Sequence, residues 1–223
     1  MFPIRDDVPS RAYPYATLGL IVLNTAIFVI QFGQRLTDPA GAAGALASFG
    51  LVPVQAAQGR VLPFFTSMFM HGGWFHLIGN MWYLWIFGDN VEDRLGPVKF
   101  VAFYITCGLV GNFSHFLANT SSAVPAVGAS GAIAGVLGAY VVSYPMARIL
   151  VVIPLFLFLH LMTVPALVVV GFWFIVQLAS GAFSLSHSGV YGGVAWWAHI
   201  GGFIGGIAVF SLFRPRPRVM YIP

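Results

Sequence analysis

Ser130 sits in Gly128-Ala129-Ser130-Gly131, where a small polar loop meets the start of an apolar run. A serine hydroxyl becomes a useful nucleophile only when a neighbouring base takes its proton. Glycines on either side at a helix entry leave that hydroxyl unobstructed. The first N–H groups of a helix also lack internal partners and favour negative charge. The same four residues fit a tight turn with Ser130 as a helix cap equally well. His199 is the candidate base. It recurs with Gly202 and Gly206 at three- and four-residue spacing, so the three share a helix face. Gly131, Gly135 and Gly138 mark a stripe on the helix that Ser130 begins. Small residues on two membrane helices let the backbones approach closely, which would bring His199 towards Ser130. Tight packing alone, with His199 as a satisfied polar group, is the other reading. His76 and Asn80, four residues apart, share one face of a third helix. Together they could hold a small anionic group, or they could join helices by hydrogen bonds.

The elements that must position these residues are membrane spans. Of 223 residues, 59% are hydrophobic and only 7% are charged, and mean hydropathy is +0.88. An ordinary soluble domain carries about 25% charged residues, so this chain could not cover a water-facing surface. All six acids, Asp6, Asp7, Asp38, Asp89, Glu92 and Asp93, lie outside the apolar runs. No carboxylate is then available at membrane depth for proton relay, metal binding or orienting a histidine, which argues against ion-coupled transport and against aspartyl or metalloprotease chemistry. What remains at depth is His76, Asn80, Asn112, His115, Ser130, Gln177 and His199, with His71 and His160 near the boundary. Gln177, His115, His160 and His187 read as structural or loop polar groups. Cys107, the only cysteine, reads as a small buried apolar side chain. No metal or organic cofactor is indicated. The pI near 9.5 comes from basic residues beside the spans, which set topology, so no nucleic-acid partner is expected.

A spanning helix needs roughly 20 apolar residues. Apolar runs and their punctuation place six, at 15–32, 75–87, 98–117, 130–144, 164–182 and 194–213. Residues 33–62 form a loop, and 149–163, interrupted by Pro154, are expected as a partly buried connection. Charge supports six spans with both termini in the cytoplasm. The inner side then carries Arg5, Arg11, Arg94, Lys99, Arg148, Arg214, Arg216 and Arg218, the outer side only Arg35 and Arg60. Residues 1–14 would be a short cytoplasmic segment, 15–213 an all-α six-helix membrane domain, and 214–223 a short basic cytoplasmic tail.

The ordered set of motifs resembles the rhomboid family of intramembrane serine proteases. A segment like Thr66-Ser-Met-Phe-Met-His71-Gly-Gly leads into His-x-x-x-Asn at His76 to Asn80. Glu92-Asp-Arg94-Leu-Gly96, Gly128 to Gly131, and Ala198-His199-x-x-Gly202-x-x-x-Gly206 follow in the family's order. The resemblance implies a six-helix rhomboid-like bundle with Ser130 as nucleophile and His199 as general base. It also implies an oxyanion hole made by His76, Asn80 and the Ser130 backbone N–H. Gly131, Gly135, Gly202 and Gly206 would pack the two helices that carry the dyad. Substrates would be transmembrane segments of other proteins, in the lipid bilayer of a bacterial inner (plasma) membrane, cut after a small residue. A catalytically inactive rhomboid-like protein that binds such segments is the alternative. Two positions depart from the family. Leu62-Pro63 stands where many members have Trp-Arg, and Ala134 stands where many have an aromatic residue against the histidine.

Overall fold

A computed structural model describes residues 2–155, 158–186, 194–213 and 215–217. His187, Arg214 and Arg218 lie outside the described residues. The chain opens with strand β1 (Phe2–Arg5) and helix α1 (Tyr15–Thr37). Three short helices follow, α2 (Pro39–Phe49), α3 (Pro53–Ala56) and α4 (Pro63–Thr66), so the expected loop is largely helical. A proline starts each of them, in the first-turn position where its missing N–H costs nothing. Then come α5 (Trp74–Leu95), α6 (Pro97–Ala118) and α7 (Ser130–Ser143). Strands β2 (Arg148–Leu155) and β3 (Phe158–Pro165) lead into α8 (Ala166–Ser186) and α9 (Trp196–Phe210).

The all-α expectation is corrected by a three-stranded antiparallel sheet in the order β1-β2-β3. The expected connection at 149–163 is its hairpin, in which Ile149 pairs with Val164 and Ile153 with His160. Short apolar runs rich in β-branched residues fit a strand as well as a buried helix. Here β2 pairs along its length with β3 and, at its other edge, with Phe2–Arg5, which lies far away in sequence. Helices α1, α6 and α8, and α9 together with the 3-10 turn that extends it to Phe213, are long and apolar enough to cross a membrane. Helix α7 is shorter, and α5 runs on through Asp89, Glu92, Asp93 and Arg94 instead of stopping before them. The protein is an integral, multi-pass membrane protein, mostly helical.

Helix α5 tolerates those charges because they are put to use. Glu92 is 4% exposed. Its Oε1 accepts from the Ala16 N–H at 3.0 Å, and its Oε2 accepts from the Thr17 N–H and hydroxyl, both at 2.7 Å. The acid thus caps the start of α1, where N–H groups have no intrahelical partner and negative charge is favoured. Arg94 Nε donates to the Arg216 carbonyl and the Arg216 N–H to the Arg94 carbonyl, each at 2.6 Å. Gly96, at φ +77°, then turns the chain into α6.

Helix α7 is buried along most of its length, with α5, α6 and α9 packed around it. The α7–α9 contact is the glycine seam that the spacing predicts. A Cβ at Gly202 would lie 2.0 Å from the Gly131 carbonyl oxygen, and one at Gly206 would lie 2.4 Å from that of Gly135. Helix α6 joins the seam, since a Cβ at Gly111 would be 2.6 Å from the Ala198 carbonyl oxygen. The backbones therefore touch at contacts that no other side chain permits.

Candidate active site

Ser130 is the first residue of α7, and the residue in the cap position is Ala129, so the serine is not spent on capping the helix. Its Oγ lies 2.7 Å from His199 Nε2. His199 stands on the first turn of α9, one residue past Ala198, whose backbone the seam clamps against Gly111 and Gly131. The glycine contacts thus end at the serine and histidine, and close backbone approach is what brings two residues 69 positions apart within hydrogen-bond distance.

Gly128, with φ +128°, lies in a backbone region that favours glycine. A Cβ there would fall 2.7 Å from His76 Nε2 and 3.5 Å from Asn80 Nδ2. The side chains of His76 and Asn80 therefore converge on the loop two residues before Ser130. Asn80 is buried, and its Nδ2 makes no hydrogen bond among the described residues. An unpaired N–H donor against the loop two residues before the serine, together with the free N–H groups at the start of α7, can receive a developing oxyanion.

The loop leading to Ser130 is held from outside. The Gly128 N–H donates to the Ser67 carbonyl at 2.9 Å, and Leu51 and Ala126 exchange backbone bonds at 2.9 and 2.8 Å. Asn112 Nδ2 donates to the Phe64 carbonyl at 2.7 Å and to Ser67 Oγ at 2.9 Å. Asn112, noted at depth, thus anchors the α4 region where Leu62-Pro63 replaces the family's Trp-Arg. His115 lies at the far end of α6 beside Asn119, and His160 lies exposed on β3. His71 is buried, with its ring edge-on to Phe28 and 5.3 Å from the His76 ring.

One residue read as a structural polar group lies against His199. Gln177, on α8, is 5% exposed, and its Oε1 lies 2.7 Å from His199 Nδ1. The Trp173 ring, one turn earlier, is 6.0 Å from the imidazole at 33°. Helix α8 therefore borders the histidine through both Gln177 and Trp173. A glutamine at membrane depth was the available signal, but the rotation of α8 towards α9 is invisible in one sequence.

Among known proteins, the chain is 33% identical to mouse presenilin-associated rhomboid-like protein, mitochondrial, over 56% of its own length and 38% of that protein. It is 35% identical to Rhomboid protein 1, mitochondrial, of Saccharomyces cerevisiae over 63% of its length and 38% of the yeast protein. With Rhomboid protease GluP of Bacillus subtilis it shares 33% identity over 57% of its length and 24% of that protein. The chain thus spans well under half the length of these relatives. The rhomboid domain family model matches residues 58–216, which take in α5 to α9 and both members of the Ser130–His199 pair, and the chain belongs to the rhomboid family.

Proposed function

We propose that this protein is an intramembrane serine endopeptidase that cuts peptide bonds in or near transmembrane segments of other membrane proteins. The observation that carries the reading is the 2.7 Å contact between Ser130 Oγ and His199 Nε2. Ser130 Oγ attacks the scissile carbonyl carbon while its proton passes to His199 Nε2. The carbonyl oxygen becomes an oxyanion that faces His76, Asn80 and the Ser130 N–H. Collapse of the adduct breaks the C–N bond, and His199 returns the proton to the leaving amine. A water molecule, deprotonated by His199, then releases the acyl group from Ser130.

The length of α7 supports access to water. Its 14 residues rise about 21 Å, less than the hydrocarbon thickness of about 30 Å. With its C-terminal end at the cytoplasmic face, Ser130 lies below the outer surface, beneath the loop 119–129. Irregular backbone at that depth is tolerated where protein or a water-filled cavity satisfies it. Six spans, cytoplasmic termini and a bacterial plasma membrane belong to this proposal. The B. subtilis relative supports that location, whereas the mouse and yeast relatives are named mitochondrial.

The test combines purified protein with a transmembrane reporter in liposomes. Wild type cleaves it, and Ser130→Ala and His199→Ala each lose at least about 10³-fold in rate. A fluorophosphonate probe labels Ser130 in the wild type and not in His199→Ala. Cleavage by Ser130→Ala defeats the reading. A wild type that binds the reporter without cutting it and takes no probe marks a binding protein instead.

A further inference from the structure

We infer that Gln177 is a positioning residue for His199, holding the imidazole in the tautomer that can accept the Ser130 proton. The inference rests on the protease reading above. The Gln177 amide has one acceptor and one donor end, and its orientation follows from its own neighbours. Nε2 donates to the Trp173 carbonyl at 3.3 Å, one turn back on α8. A reversed amide would place two oxygens against each other there. Oε1 is therefore the atom at 2.7 Å from His199 Nδ1. Since Oε1 can only accept, Nδ1 must carry the hydrogen, which leaves the Nε2 lone pair facing Ser130 Oγ at 2.7 Å. In the opposite tautomer, two acceptors would meet at Gln177 and the base would have no lone pair for the serine.

A Ser-His-acid triad gives the orienting task to a carboxylate. No acid lies in an apolar run of this chain, and the ionisable groups that bear on the His199 ring are His76 on α5 and His115 on α6. A neutral amide supplies the same directional acceptor without bringing a charge into the membrane, where charge is costly. When Ser130 yields its proton, the positive charge on the imidazolium meets the negative end of the Gln177 carbonyl dipole. Trp173 flanks the ring from the same helix. Helix α8 thereby supplies both the hydrogen bond and the aromatic neighbour.

Gln177→Leu and Gln177→Glu, assayed in the full chain by reporter cleavage across pH, test this. Gln177→Leu lowers kcat roughly ten- to a hundredfold with KM within about twofold, because only the acceptor is lost. Gln177→Glu retains cleavage, and the acidic limb of its kcat profile moves to higher pH by about one pH unit, since a carboxylate favours the imidazolium. A residue that only fills space tolerates Gln177→Leu with kcat unchanged. Wild-type kcat and an unshifted profile in both variants overturn the inference. Should Gln177→Leu lack a cooperative thermal transition, Gln177→Met takes its place in the same assay: a drop in kcat at unchanged KM supports the inference and wild-type kcat overturns it. Failure of the wild type to cleave and to take the fluorophosphonate defeats the protease reading itself. An active wild type with indifferent Gln177 variants defeats the positioning role only.

Discussion

Two clusters of polar residues on α5 and its neighbours are built on opposite terms. At the end of α5 near the sheet, Glu92 accepts three hydrogen bonds from Ala16 and Thr17. At the opposite end, Asn80 Nδ2 is buried with no hydrogen-bond partner among the described residues and converges with His76 on the Gly128 loop. An unmade hydrogen bond in a buried place costs roughly 1–3 kcal/mol. The first cluster contributes to folding, whereas the second gives up stability to keep a donor free. The Ser130–His199 pair lies between these extremes, since His199 is bonded through both ring nitrogens while, among the described residues, the Ser130 hydroxyl meets His199 Nε2 at a helix start. Under the proposed function, an unsatisfied donor near a bonded serine and histidine is what a site needs when negative charge appears only during reaction.

Replacing Asn80 tests the contrast most severely. Asn80→Ala lowers kcat for reporter cleavage by about 10²–10³-fold, while the thermal midpoint moves by only a few degrees, because Nδ2 surrenders no protein partner. Paired kinetics and thermal unfolding of the same preparation check this, and an unchanged kcat breaks the contrast. Glu92→Gln has the opposite signature. It removes the charge and one acceptor from the α1 cap, which costs about 1–2 kcal/mol of stability, and the folded fraction still cuts at the wild-type rate. Denaturation in detergent against activity per folded molecule separates the two effects.

A pH-dependent effect concerns Asp6, near the Glu92 end, which hydrogen-bonds the Tyr140 hydroxyl. Burial pushes its carboxyl up from 3.8 to about 7, aided by the charges of Asp89 and Asp7 and opposed by the Tyr140 bond. The folded state thus holds a proton that the unfolded chain has released. This contribution to stability is full below 3.8 and is lost as pH rises towards about 7. Asp6→Asn flattens that part of the stability–pH curve. A curve identical to the wild type's removes Asp6 as its source.

Much of the site was legible in residue types because its chemistry demands them. Ser130 between glycines, His199 on a glycine face and His76 one turn from Asn80 each had a reason readable at fixed spacing. The seam was legible too, since backbone contact between helices admits only the smallest side chains. The charged stretch at Asp89 to Arg94 looked like a turn because charges usually end a span, yet α5 continues through it as Glu92 caps α1 and Arg94 binds Arg216. Residues 149–163 read as a connection because short apolar runs do not separate strand from buried helix; β2 pairs with the adjacent β3 and also with Phe2–Arg5, more than a hundred positions away, and local periodicity carries no sign of that second pairing.

Composition and local spacing by themselves determined that the chain is a membrane protein, that its inner groups are hydroxyl, imidazole and amide rather than carboxylate, and which faces carry them. These are properties of single residues and single helices, set by transfer free energy and helical periodicity. Only the tertiary structure decided how α8 is turned against α9. That rotation places Gln177 beside His199 Nδ1, and no periodicity within one helix can specify which neighbour its polar side chain will meet.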